Sequence, residues 1–82
     1  MKPAAIRTNI LRALKHMGNN AMTRESLDNT LMLVDRNLLG GDIAAALADL
    51  QTDRYVIGVH DDLTDTDNYS LTIEGRTAAA RL

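Results

Sequence analysis

The sequence has 82 residues, of which 45% are hydrophobic and 24% charged, and it carries a formal net charge of −2. Those proportions describe one small globular domain with a modest core, not a disordered chain. It contains no cysteine, which excludes a disulfide framework and a thiolate metal centre, and no apolar run approaches the roughly 18 residues of a membrane span.

The segment Met1–Arg7 reaches polar Thr8 and Asn9 too soon to hold the apolar region of a signal peptide, so the expected compartment is cytoplasmic. Pro3 suits the first turn of a helix, where its missing N–H leaves nothing unsatisfied. Ile6, Ile10, Leu14 and Met17 then share one helical face, with Ala13 beside them, while Thr8, Arg12, Lys15 and His16 point away. Gly18 follows the last apolar position, as a glycine that ends a helix does. Thr23 is placed to cap a second helix, with Glu25 in its first turn. On that helix Leu27, Leu31 and Val34 share a face, and Met32 and Leu33 lie off it. Leu38-Leu39-Gly40-Gly41 leads into a third helix beginning near Asp42, with Ile43, Leu47 and Leu50 as its buried stripe.

The period changes at Tyr55. Tyr55, Ile57 and Val59 alternate with Val56 and Gly58, which predicts a strand. His60 to Asn68 is polar and rich in Asp and Thr, so a loop is expected there, with Tyr69–Thr72 as the returning strand of a hairpin. Thr72 can cap a last short helix over Ile73–Leu82. The predicted class is α+β, mostly α: three helices, a two-stranded hairpin and a short C-terminal helix in a single domain spanning 1–82.

Two stretches carry a resemblance. Leu47-Ala48-Asp49-Leu50-Gln51-Thr52-Asp53-Arg54-Tyr55-Val56 is similar to the end of a winged-helix recognition helix running into the first wing strand, although many such domains have glycine where Arg54 stands. Tyr69-Ser70-Leu71-Thr72-Ile73-Glu74-Gly75-Arg76 resembles the Leu-Thr-x-x-Gly-Arg segment that closes the wing in bacterial and archaeal transcriptional regulators of the multidrug-resistance and phenolic-acid-repressor types. The resemblance implies a winged helix-turn-helix with base recognition on the third helix and phosphate contact on the wing. It implies much less about function, because the same fold serves as DNA reader, dimerisation piece and protein adaptor.

The charges disagree with the DNA-reading role. The first 24 residues carry Lys2, Arg7, Arg12, Lys15 and Arg24 and no acid, whereas residues 42 to 67 carry Asp42, Asp49, Asp53, Asp61, Asp62, Asp65 and Asp67 against Arg54 alone. The outward side of the third helix would present Asp42, Ala45, Ala48, Asp49 and Thr52, with Gln51 on its flank. Specific base contacts use bidentate Arg, Asn or Gln, and phosphates would be repelled by the aspartates. The expected function is therefore non-enzymatic. It is a protein-interaction adaptor whose acidic face of Asp42, Asp49, Asp62 and Asp65 meets a partner with a basic surface. The alternative is a DNA-binding regulator using a different basic face, assembled from Arg7, Arg12, Lys15, Arg24 and Arg36. Met32, Leu33 and Leu39 are candidates for an apolar contact, while Leu38 and Leu39 either plug the core or stand exposed. The chain is expected to act as a monomer or weak homodimer.

Other chemistries are poorly supported. Asp61 to Asn68 offers oxygens at alternate positions but lacks the glycine and glutamate of a calcium loop. Neither His16 nor His60 has a nucleophile or second ligand near it in sequence, and Gly40-Gly41-Asp42 lacks the lysine of a phosphate loop. No cofactor or metal is implied.

Overall fold

The computed structural model describes residues Met1–Leu82. The helical period of the first segment becomes α1 (Pro3–His16), with Pro3 in its first turn. Its buried face is Ile6, Ile10 and Leu14, widened by Leu11 and Ala13. Met17, expected on that face, is the C-cap and is half-buried. Gly18 follows with φ +62°, the left-handed conformation in which glycine costs least at a helix end.

The next element is a two-residue strand, β1 (Met22–Thr23), which the sequence did not announce because two residues carry no alternation. Thr23 then caps α2 (Arg24–Val34), its side chain accepting from the Ser26 N–H at 3.2 Å. Leu27 and Leu31 are buried, but Val34 is 61% exposed. The chain leaves the helix at Asp35, and Leu38, 5% exposed, closes this end of the core instead. The third helix, α3 (Gly40–Thr52), starts two residues earlier than expected and buries Ile43, Leu47 and Leu50 as read from the sequence, together with Ala46.

The period-2 segment forms β2 (Val56–Asp61), and the return strand is β3 (Thr66–Leu71). Both strands run further toward the tip than expected, so the loop shrinks to residues 62–65. Pairing is antiparallel, from Val56↔Leu71 to Asp61↔Thr66. β1 adds to the other side of β3, giving the order β1-β3-β2. The expected two-stranded sheet thus has three strands. Val56 and Leu71 face the core, while Ile57 and Val59 lie on the open face, 50% and 59% exposed.

Thr72 closes the hairpin and opens α4 (Ile73–Ala79). Its hydroxyl accepts from the Gly75 N–H at 2.9 Å and donates to the Arg54 carbonyl, while its N–H donates to the Tyr55 carbonyl at 3.1 Å. Arg54 itself adopts φ +64°, at the position where the resemblance has glycine. α1 lies at the centre, touching α2, α3, α4 and β3. Fifteen of the sixteen buried residues form one apolar cluster, the sixteenth is Gly75, and no polar or charged residue is buried.

Two substitutions test this packing. Leu47, 2% exposed, should lose about 2–5 kcal/mol of stability on Leu47→Ala, read as a lower urea midpoint. An unchanged midpoint would mean that α3 buries a different face. Gly75→Ala exchanges glycine for the best helix former, a gain of about 1 kcal/mol in an open helix. Here the added Cβ would stand 1.9 Å from the Tyr55 carbonyl oxygen. A net loss of about 1–3 kcal/mol is expected, and a rise in the midpoint would rule the close approach out.

Candidate functional site

With Ile43, Ala46, Leu47 and Leu50 turned inward, the outward side of α3 consists of Asp42, Ala45, Ala48, Asp49 and Thr52, all exposed. Asp49 is not alone there. The Arg7 guanidinium of α1 reaches it at 3.5 Å, in a solvent-exposed pair. Arg7 therefore sits beside the acidic helix and offsets part of its charge. Gln51, the one flanking residue able to read a base edge, has its amide nitrogen over Gly58 of β2, where a Cβ would come within 2.6 Å of it.

At the hairpin end, the carboxylates gather around a histidine. His60 Nδ1 lies 2.8 Å from Asp67 Oδ1, and its Nε2 lies 3.3 Å from Asp65 Oδ1 and 3.5 Å from Asp62 Oδ1. Whichever ring nitrogen carries the proton, a carboxylate faces it. The fold creates this arrangement: Asp67 stands directly across the ladder from His60, and the turn folds Asp62 and Asp65 back toward the ring. Asp65 takes φ +52° to make that turn, and Asp61 Oδ1 accepts from the Leu63 N–H at 2.9 Å. The side chains of Asp62 and Asp65 are almost fully solvated, and Leu63 at the tip is 94% exposed. In sequence His60 looks partnerless, because its partners come from hairpin register.

The basic residues do not form one surface. Arg24 is structural: its Nε donates to Asp28 Oδ1 at 2.7 Å and its Nη2 to the Gly40 carbonyl at 2.8 Å, tying the start of α2 to the start of α3. Arg12 and Lys15 are exposed on α1, and Arg36 is exposed in the α2–α3 turn; none of the three forms an ion pair. Lys15 meets a cation that the sequence reading passed over, Arg76 of α4. Together with Gly18, Asn19, Leu71 and Ala79 they line a small open cavity of about 150 Å³.

The apolar candidates separate. Leu38 is core, whereas Leu39, Leu33 and Met32 are exposed at 66%, 88% and 37%. No family model, no curated protein and no solved structure matches this chain. No helix is long and apolar enough to cross a membrane.

Arg24 and Arg12 make a discriminating pair. Arg24→Ala removes a partly buried charged hydrogen-bond donor from two acceptors and should lower stability by about 1–2 kcal/mol. Arg12→Ala, on an exposed face, should stay within about 0.5 kcal/mol of the parent. Chemical denaturation of the two variants checks both values, and equal midpoints would remove the structural role given to Arg24.

Proposed function

We propose that this chain is a winged-helix protein-interaction module that docks a partner with a basic surface on the outward side of α3 and the wing, β2–β3. Support for the fold reading comes from the element order, in which three helices precede an antiparallel hairpin and a short closing helix, and from Thr72, which joins the hairpin base to α4. The docking reading is carried by one observation. Asp42, Asp49, Asp62 and Asp65 are all exposed, and Arg7 is the only arginine or lysine that pairs with any of them. Such a surface repels phosphate and attracts cationic side chains, raising the rate at which a basic partner is captured.

A second reading has its own support. Lys15 and Arg76 converge on one cavity with no acid in its lining, and Arg12 shares α1 with Lys15. A nucleic acid held there would be bound through its backbone, with little sequence preference, since phosphate contacts position without specifying.

The two readings separate in NMR titrations of the chain with an arginine- and lysine-rich peptide and with random duplex DNA. The peptide should shift the amides of Asp42, Asp49 and residues 61–67. Duplex binding should be no tighter than the ~10⁻⁴–10⁻⁶ M of non-specific association. Replacing Asp49, Asp62 and Asp65 with asparagine should slow peptide association and flatten its salt dependence while leaving the unfolding midpoint within about 0.5 kcal/mol. Tight, steeply salt-dependent duplex binding centred on Lys15 and Arg76 would replace the first reading with the second.

A further inference from the structure

The recess where α1 meets α4 is built from elements that bring cations to it and no acid. Lys15 stands in the last turn of α1, Asn19 in the turn before β1, Leu71 at the end of β3 and Arg76 on α4. Residues 1–24 contain no aspartate or glutamate. The one acid of α4, Glu74, lines a different cavity with Tyr55 and Arg81. The one acid of β3, Asp67, lies at the far end of the hairpin beside His60. A chain of net charge −2 thus holds a locally cationic hollow. Neither Lys15 nor Arg76 forms an ion pair, and neither they nor the Asn19 side chain donate a hydrogen bond within the protein. At the negative end of the α1 dipole, the carbonyls of Leu14 and Lys15 are capped by the N–H groups of Met17 and Gly18 and not by these side chains.

Donor chemistry and size together select the ligand. A guanidinium fork, an ammonium and a carboxamide suit an oxyanion with several acceptor oxygens. A terminal phosphate has three such oxygens and a charge of about −1.5 to −2 near neutral pH, enough for both cations, whereas a phosphate within a nucleic-acid backbone carries a single charge. The volume of about 150 Å³ is well below the roughly 300–1,000 Å³ of sites that enclose a whole small molecule. The phosphate therefore enters, and what it is attached to stays outside. Leu71 and Ala79, both buried, form an apolar floor that keeps water from one side and strengthens the attraction of the charges. We propose that this recess binds the terminal phosphate of a phosphomonoester, with Lys15, Arg76 and Asn19 as the donors. The site is independent of the acidic docking face. It uses the same two cations as the backbone-binding reading above and differs from it in requiring a phosphate end.

NMR titration of the full chain with inorganic phosphate, at an ionic strength held constant with sodium chloride, tests the proposal. The amides of Lys15, Gly18, Asn19 and Arg76 should shift and saturate in the millimolar range, while those of Asp42 and Asp62 stay still. Lys15→Gln with Arg76→Gln changes two exposed side chains and should weaken binding about tenfold or more, with the unfolding midpoint unchanged. Arg76→Lys keeps the charge but not the fork, so it should bind less tightly than the parent and more tightly than the double variant. An oligonucleotide with a terminal phosphate, titrated beside its hydroxyl-ended counterpart, separates the sources of the ligand. Preference for the phosphate-ended strand assigns a nucleic-acid end. If both strands leave these amides unmoved while inorganic phosphate saturates them, the ligand is a small phosphorylated molecule. Shifts that grow linearly with phosphate, or that saturate alike in the parent and the double-glutamine variant, overturn the proposal. So does tight strand binding at these residues that is indifferent to the terminal phosphate, which returns the cations to the backbone-binding reading.

Discussion

Everything in this domain is organised by the burial of one side of α1. α2, α3, α4 and β3 all pack against α1, whose Ile6, Ile10 and Leu14 are buried. A chain of this size has little apolar surface to spend, and the core contains no polar group that could fix orientation by hydrogen bonding. Orientation is set at the rim instead. Arg24 ties two helix starts together, Leu38 closes the α2–α3 turn, and Thr72 ties the hairpin base to α4. The helices are thus held by a shared apolar centre and positioned by a few polar clamps at their ends.

That arrangement leaves the surface free to carry charge unevenly. Arg24 pairs with Asp28 within α2, while Met1 with Asp35 and Arg7 with Asp49 pair across the fold. The remaining acids concentrate on the outward side of α3 and the hairpin tip, while Lys15 and Arg76 gather where α1 meets α4. His60 stands among three carboxylates at the hairpin end. The result is a small body whose unpaired acids lie mainly at one helix and one hairpin tip while its basic residues are dispersed.

Much of the fold was legible because single residues mark helix boundaries. Pro3, Gly18, Thr23 and Thr72 each have a local physical reason to sit where they do, and each performs that role here. The buried stripe of α3 was legible for the same reason, since Ile43, Leu47 and Leu50 lie within one helix and need no tertiary information. What escaped the sequence depends on how elements meet. Val34 has the right period for burial, yet the helix ends there and Leu38 fills the space. Two residues are too few for β1 to show alternation. Both hairpin strands extend into a stretch that composition marks as loop, because cross-strand pairing overrides the preference of Asp and Thr for turns. At the candidate site, exposure of the aspartates was readable from helical phase and loop composition. The clustering around His60, the Arg7–Asp49 pair and the meeting of Lys15 with Arg76 were not, since each joins residues that come together only through folding.

The junction at Thr72 also bears on the order in which the molecule assembles. α4 has only seven residues, too few to hold a helix alone in water. Its seat is built from the carbonyls of Arg54 and Tyr55, which are positioned only once β2 has turned away from α3. A helix that short, docking by its glycine onto a backbone oxygen twenty residues earlier, has only α1 to dock against until the hairpin has closed. The last stretch of the chain is thus the last to order and the first to fray. The earlier helices reach one another through shorter loops, whose closure is faster. Opening should begin from the C-terminal helix and pass to the hairpin base before it reaches the centre.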